Sequence, residues 1–382
     1  FVGLSHYQGE SYFDDFTLNC TPVTPPGDAG PLDASPGDMG PGPDTSLLDA
    51  GVPDAAVPDQ NAMDLPPPDL GNPPQVAPLI KINGSATGFA TIIPKASLTF
   101  AAAVTCPAPY TCLYKWDFGN STTGSGKAPA AVTYNQAGLF HVKLSVTSST
   151  GYPMGTATAI VTVYNGTMSD TFNRTALELD KYLWVKPINP KALYSIKSKW
   201  LHVTHNLQAP GSSAIMAGPL VKDVHVEVTI KRSPLKTVVH YADVILRMHP
   251  TKLTGSFYRV RVKEGLAVYN NEVDLEIFKI ISASDEHGIA LISIPPTASG
   301  YDPNRTKDIR VSIDLKDDAK GVPTFDVVFS EAATPSKILL QLKGLKDTDT
   351  TAPAHSYAGL VGLTQFDGET YFDNFTMKSL AP

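Results

Sequence analysis

The sequence predicts an all-β protein built from separate sandwich domains and a linker that cannot pack, and three observations predict it. Short runs of alternating apolar and polar residues recur from residue 79 to 377, broken by clusters of Gly, Pro, Ser and Asn. Helical periodicity is nearly absent over the same span. The composition is turn-rich, with 29 Gly and 33 Pro among 382 residues and only 18% charged, which excludes a long-helix protein. At about 150 residues per domain, the length suggests two to three units.

Charge narrows the partners. The net charge is −7, yet residues 21–75 carry nine Asp and no Lys, Arg, Glu or His. The remaining residues are close to neutral, so no basic face for nucleic acid is expected. No apolar run reaches the roughly 18 residues of a membrane-spanning helix. A secreted or cell-surface location is expected, with no signal or anchor visible in the sequence.

The chain opens with an internal repeat. Residues 2–18, VGLSHYQGESYFDDFTL, align without a gap on residues 361–377, VGLTQFDGETYFDNFTM, with ten of seventeen positions identical. The second copy closes a long strand-rich region. Residues 1–20 therefore read as the C-terminal fragment of a first sandwich domain of the same kind.

A linker follows over 21–78, with fifteen Pro and with Asp recurring almost always every fifth residue. Nothing in it can form a core. At about 3.1 Å per residue in a polyproline-II-like chain, successive Asp stand roughly 15 Å apart, beyond a screening length of about 8 Å. Stiffness then comes from Pro, and the Asp keep the tether hydrated. Loop-type calcium sites bring in ligands at every second residue, so this spacing does not suit calcium.

Residues 79–165 alternate in short runs such as SLTFAAAV, FHVKLSVT and TATAIVTV, at the size of an immunoglobulin-like sandwich. YKWDFGN (114–120) and YNQAGLFHVKLSVT (134–147) resemble the polycystic-kidney-disease (PKD) repeat through Trp116, Asp117, Phe118, Gly119, Tyr134 and Gly138. Asn120 departs from the family's usual Asp, which puts the turn after Gly119 in question. The resemblance implies a spacer or interaction module. Trp116 and Phe118 share a strand face and should fill the core, while Gly119 permits the turn. Cys106 and Cys112 bracket PAPYT between two strand-like runs. They form either a local disulfide, which implies an oxidising compartment, or two buried thiols; Cys20 is left over.

Residues 168–380 form the third unit, with alternating strands at 223–232, 241–248, 256–264, 272–280, 308–316, 324–331 and 369–378. An all-β unit of this size is most economically a two-sheet jelly roll. Its start, SDTFNRTALELDKYLW, and its end, TYFDNFTM, resemble the concanavalin A-like lectin and glucanase superfamily, and SFYRVRVKEG through VDLEIFKI is similar to laminin-G-type relatives. The resemblance implies a carbohydrate-binding fold.

Three constellations in this unit could carry function. EVDLE (272–276) places Glu272, Asp274 and Glu276 on one strand face. It resembles the catalytic strand of family-16 glycoside hydrolases, which implies Glu272 as nucleophile, Asp274 as its tuner and Glu276 as acid/base. The two Glu Cα atoms lie about 13 Å apart, so both side chains must lean inward to reach the roughly 5 to 5.5 Å separation of a retaining enzyme. The bland alternative is a half-exposed strand with three acids, and no aromatic shares that face of the strand.

Aromatic residues form the second set: Trp200, Tyr269 and Tyr301 are the candidates for stacking on a glycan, with Trp184 and Tyr258 behind them, each set against a packing role. The third is the last strand, where strict alternation places Tyr371, Asp373, Phe375 and Met377 on one face. A carboxylate among apolar neighbours needs a partner. Related jelly rolls imply one structural calcium there, held by Asp170 and Asp373; backbone hydrogen bonding is the alternative. The whole reads as a non-catalytic adhesion protein that engages polysaccharide, with a β-glucan hydrolase and a structural stalk as rivals.

Overall fold

The computed structural model describes residues 72–380, apart from 186–191, 206–213, 233–238, 251–255, 266–272, 283, 295–301, 303 and 366–367. The opening repeat and the linker up to residue 71 lie outside the described residues, as do Glu272, Tyr269 and Tyr301. Among the described residues no helix is long and apolar enough to cross a membrane.

The first sandwich is built from β1 (Leu79–Ile82), β2 (Phe89–Ile92), β3 (Ser97–Leu98), β4 (Phe100–Ala103), β5 (Cys112–Asp117), β6 (Thr123–Ser125), β7 (Val132–Thr133), β8 (Gly138–Ser148) and β9 (Pro153–Val163). Five strands form one sheet in the order β2-β9-β8-β5-β6, and the pairs β1-β4 and β3-β7 complete the sandwich. Strand alternation buries Trp116 and Phe118, whose rings stack at 5.9 Å between centroids, with Tyr134 beside them. Their polar tips are satisfied: Trp116 Nε1 donates to Gly126 O (2.9 Å) and Tyr134 Oη donates to Phe118 O (3.1 Å). Gly119 sits at φ +75°, where a Cβ would lie 2.8 Å from the His141 carbonyl oxygen, so this turn requires glycine. Asn120, the departure from the PKD pattern, closes the turn by accepting from the Thr122 N–H (3.2 Å). Cys106 and Cys112 are disulfide-bonded.

The second sandwich comprises β10 (Thr167–Asp170), a 3-10 turn (Asp180–Tyr182), β11 (Trp184–Val185), β12 (Ala192–Lys197), β13 (Trp200–His205), β14 (Ile215–Val221), β15 (Val224–Lys231), β16 (His240–Met248), β17 (Phe257–Glu264) and β18 (Val273–Ser282). It continues with β19 (Asp285–Ile294), β20 (Ile309–Asp317), β21 (Pro323–Glu331), β22 (Thr334–Lys346), β23 (Gly359–Thr364) and β24 (Gly368–Ser379). One sheet runs β12-β13-β24-β15-β20-β21-β22, with β10 also pairing β24, and the other runs β11-β14-β23-β16-β17-β18-β19. All these pairings are antiparallel. The strands predicted at 223–232, 241–248, 256–264, 272–280, 308–316, 324–331 and 369–378 correspond to β15, β16, β17, β18, β20, β21 and β24.

Alternation supplies the core between the sheets: Val226 and Val228 from β15, Val244 and Leu246 from β16, Val260 and Val262 from β17, Leu275 and Ile277 from β18, and Val311 and Ile313 from β20. Trp184 and Tyr258 belong to this core. The two sandwiches also touch. Leu220 N–H donates to Thr91 Oγ1 (2.6 Å), Tyr164 Oη donates to Met377 O (3.3 Å), and Phe89 packs against a smaller cluster containing Met216, Ile245 and Leu360.

The last strand corrects the sequence reading. Between β15 and β24 the register shifts, Glu227 pairing with Thr376 but Thr229 with Asp373, so β24 carries one extra residue there. Asn374 occupies the bulge at φ +49°, a conformation Asn tolerates better than most residues. The bulge breaks the period of two. Phe372, Phe375 and Met377 are all buried, while Tyr371 and Asp373 stand on the outer face. Asp373 is therefore not a carboxylate among the core residues. It accepts from the Asn374 backbone N–H (2.8 Å), and burial together with the fields of Asp170 and Asp308 raises its pKa against that hydrogen bond.

Candidate functional site

On the outer face of the first-named sheet of this sandwich, the antiparallel register lines up Ser195, His202, Tyr371 and Lys231 across β12, β13, β24 and β15. Trp200 pairs with Lys197 at the next position on that face. The His202 and Tyr371 rings stack with centroids 4.6 Å apart. Lys231 Nζ lies 5.7 Å from the Trp200 ring and 5.3 Å from the Tyr371 ring, and Lys197 Nζ lies 5.6 Å from Tyr371. Glu369 ties the group together: its Oε2 lies 2.9 Å from His202 Nε2 and accepts from Tyr371 Oη at 3.2 Å. The His202 hydrogen bond, joined by that of Tyr371, holds the Glu369 carboxyl below its usual range against the effect of burial. Tyr371 and Glu369 together raise the pKa of Lys197.

This corner offers half-buried aromatic faces rimmed by one carboxylate and two ammonium groups. A pyranose presents an apolar C–H face and a rim of hydroxyls, which matches that arrangement. Of the aromatics singled out from sequence, Trp200 is here. Strict alternation puts Tyr371 on the face of Phe375 and hides it from a sequence reading; His202 joins it here through the β13–β24 register. A bulge at Asn374 is the signal that would have moved Tyr371 outward.

Asp274 and Glu276 lie on the outer face of the other sheet, where alternation puts them opposite Leu275 and Ile277. Their neighbours are cations. Lys263 Nζ is 3.2 Å from Asp274 Oδ2 and 3.4 Å from Glu276 Oε1, and Arg261, 3.8 Å from Glu276, makes two hydrogen bonds to Asp243 at 2.7 and 2.9 Å. The acids raise the pKa of Lys263, outweighing the lowering by burial. Crowded carboxylates were expected on this strand; between Asp274 and Glu276 the structure instead interposes Lys263. Ser293 Oγ also donates to Asp274 Oδ1 at 2.6 Å.

The calcium expected from Asp170 and Asp373 does not fit the donors present. Asp170 is buried, and Arg174 engages both of its oxygens, Nη1 to Oδ1 at 2.5 Å and Nη2 to Oδ2 at 2.8 Å. Trp184 Nε1 donates to Oδ2 (2.8 Å) and Phe172 N–H to Oδ1 (2.7 Å). A guanidinium and two N–H groups fill a position where calcium wants six to eight oxygens. Arg174 also lies over the Tyr182 ring at 3.9 Å, locking the entry segment onto the core. Among the described residues no group of three or more His, Cys, Asp or Glu is placed to hold a metal.

A second oxygen cradle escaped the sequence reading. Asp347 and Asp349 alternate in KDTDTT, and between them sits the fully buried Lys279 of β18. Its Nζ is 3.2 Å from Asp347 Oδ1 and 2.9 Å from Asp349 Oδ2, and it donates to Asp349 O (3.0 Å) and Ala352 O (2.9 Å). Tyr258 Oη donates to Asp347 Oδ2 at 2.7 Å and accepts from His355 N–H at 3.0 Å. The Thr351 hydroxyl and Lys279 hold Asp349 well below the usual carboxylate range. The loop is pinned by a lysine.

Comparison with known proteins places part of the chain. Residues 76–163 match the PKD domain family. No curated protein matches the chain. Among solved structures, the PKD1 domain of Vibrio anguillarum Epp is 22% identical with a TM-score of 0.19, covering 24% of this chain and 96% of that one. The xylan beta-1,4-xylosidase of Bacillus halodurans C-125 is 14% identical with a TM-score of 0.39, over 80% of this chain and 64% of that one. A carbohydrate-binding module of the beta-sandwich superfamily is 13% identical with a TM-score of 0.23, over 80% of this chain and 97% of that one. The chain thus spans less than two thirds of the xylosidase's length.

Proposed function

We propose that the chain is a non-catalytic, extracellular or cell-surface carbohydrate-binding protein whose second sandwich, a concanavalin A-like module, engages polysaccharide through the corner formed by Trp200, His202 and Tyr371. The observation that carries this reading is the conjunction of aromatic faces with Glu369, Lys197 and Lys231 on one exposed sheet face. A sugar ring stacked there loses water from its apolar face while its hydroxyls find both donors and an acceptor. The Cys106–Cys112 bridge supports an oxidising compartment. The PKD-like sandwich acts as a spacer, and the repeated motif at residues 2–18 points to a second module whose weak binding would add through avidity.

The rival is a retaining β-glucan hydrolase using Glu272, Asp274 and Glu276. Lys263 weighs against it, because its ammonium lies within 3.4 Å of both Asp274 and Glu276 and already engages the carboxylates a substrate would have to reach. The test is a panel of insoluble and soluble polysaccharides, scored both for retention of the protein and for release of reducing sugar. Retention without turnover, lost in Tyr371→Ala, is expected. Turnover abolished by Glu276→Gln would establish the hydrolase, and silence in both assays would leave a structural stalk.

A further inference from the structure

The corner has a second compartment. A cavity of about 240 Å³ lies between the two sheets beside it and reaches from the platform residues Lys231, Glu369 and Tyr371 to core residues of β15, β16, β17 and β20. Its deep walls are apolar, formed by Ile230, Ala242, Val262 and Ile309. Polar side chains share the lining. Arg232 and Glu264 are bound to each other, and Thr370 Oγ1 already donates to the Tyr241 carbonyl at 2.6 Å. His240, more than nine-tenths buried, belongs to the lining, and its Nε2 has no hydrogen-bond partner among the described residues.

Resting on the carbohydrate reading of this corner, we propose that the cavity receives the acetyl group of an acetylated sugar, N- or O-linked, whose ring stacks on Tyr371. The size excludes a sugar chain: at about 240 Å³ the space is below the roughly 300 to 1,000 Å³ of sites for drug-sized ligands. Chemistry excludes a plain hydroxylated ring in the depth of it. Each buried hydroxyl needs partners; against four apolar walls and the one open position of His240, an unsubstituted ring would leave most of its hydroxyls without a replacement for their hydration. An acetyl group presents a methyl to Ile230, Ala242, Val262 and Ile309 and one carbonyl acceptor. In the tautomer that carries its proton on Nε2, His240 supplies a donor in the lining for that oxygen. The imidazole thus gains the hydrogen bond it lacks. Nothing in the corner's outer rim requires the substituent, so the cavity sets preference and the platform sets binding.

The test titrates the full chain with N,N′,N″,N‴-tetraacetyl chitotetraose against cellotetraose, which differ by acetamido for hydroxyl without a change of charge, and with acetylated against alkali-deacetylated xylo-oligosaccharides. One buried methyl and one hydrogen bond correspond to about tenfold in affinity. The expected result is about tenfold tighter binding of the acetylated member of one pair, the pair identifying the N- or O-linked source. Ala242→Leu, which fills the wall from β16, should erase that preference and leave cellotetraose or deacetylated ligand unchanged. Equal affinity within both pairs overturns the proposal and leaves the platform reading in place, and so does a preference that survives in folded Ala242→Leu. The wild-type comparison decides even if that variant does not fold. Absence of binding by all four ligands overturns the platform reading and this proposal with it.

Discussion

Replacing Lys279 by Met removes a fully buried ammonium whose neighbours are two carboxylates and two backbone carbonyls. Met keeps the length of the stem and loses the charge. Asp347, itself fully buried, is then left without its cation in a low-dielectric site. Breaking one partner out of a buried ion pair costs about 3 to 5 kcal/mol. For a domain of 150 to 250 residues, each kcal/mol moves the midpoint by about 2 to 4 °C. Lys279→Met should therefore lower the melting temperature of the second sandwich by roughly 6 to 20 °C, read by circular dichroism with urea unfolding as a second measure. Lys279→Ala vacates the same cradle, and millimolar calcium should raise its midpoint while leaving wild type unmoved, since Asp347, Asp349 and two carbonyls would then face a vacancy suited to an oxygen-seeking cation. A midpoint for Lys279→Met within about 2 °C of wild type would refute the reasoning that this ammonium pins the loop.

Further outcomes follow from the same contacts. Burial, with the fields of Lys279 and Arg247, pushes the His355 pKa down to about 4 against the hydrogen bond to Ile280 O. The unfolded chain binds that proton near pH 6.5, so stability is full above that value and is lost as pH falls from about 6.5 to about 4, at about 1.4 kcal/mol per unit; His355→Gln should flatten this limb in urea titrations across the window, and an unchanged limb would exclude His355 as its source. Gly359→Ala places a Cβ 2.5 Å from the Arg247 carbonyl carbon, a backbone clash that should cost about 1 to 3 kcal/mol by thermal melting; a neutral effect would show that β23 and β16 can part there. Mutating Cys106 and Cys112 to Ser together should destabilise the PKD-like sandwich by about 2 kcal/mol, the value for so short a loop, and no change in its urea midpoint would contradict that.

How far the sequence discloses this molecule depends on what each signal encodes. Alternation is a local property, and it located β15 to β18 within a residue or two because their inner residues face one continuous core. The same rule failed at β24, since a bulge at Asn374 is one inserted residue and a period-two reading carries straight through it. Trp116, Phe118 and Gly119 were legible because packing and a positive φ leave distinct residue choices. Ion pairs were not. Arg174, four residues after Asp170, looks in sequence like a solvated charge, and Lys279 and Arg259 look like the polar side of half-exposed strands, yet Arg259 is buried and hydrogen-bonded to Glu286. The partners of Lys279 and Arg259 lie tens of residues away, so their burial is a tertiary fact, and the Arg174–Asp170 pair is buried by the core that Trp184 and Phe172 build around it. The calcium expectation meets a local obstacle: the resemblance supplied Asp170 and Asp373, and the fold gives both oxygens of Asp170 to Arg174, Trp184 and the Phe172 N–H.

The functional reading rests most directly on Tyr371 and Trp200 as a sugar platform. Isothermal titration of a polysaccharide retained by the full chain, repeated with Tyr371→Ala and Trp200→Ala variants of unchanged melting temperature, should show affinity falling by at least about tenfold in each, the scale of one lost aromatic contact and its associated hydrogen bond. Undiminished affinity in both folded variants would place the binding elsewhere and contradict the account.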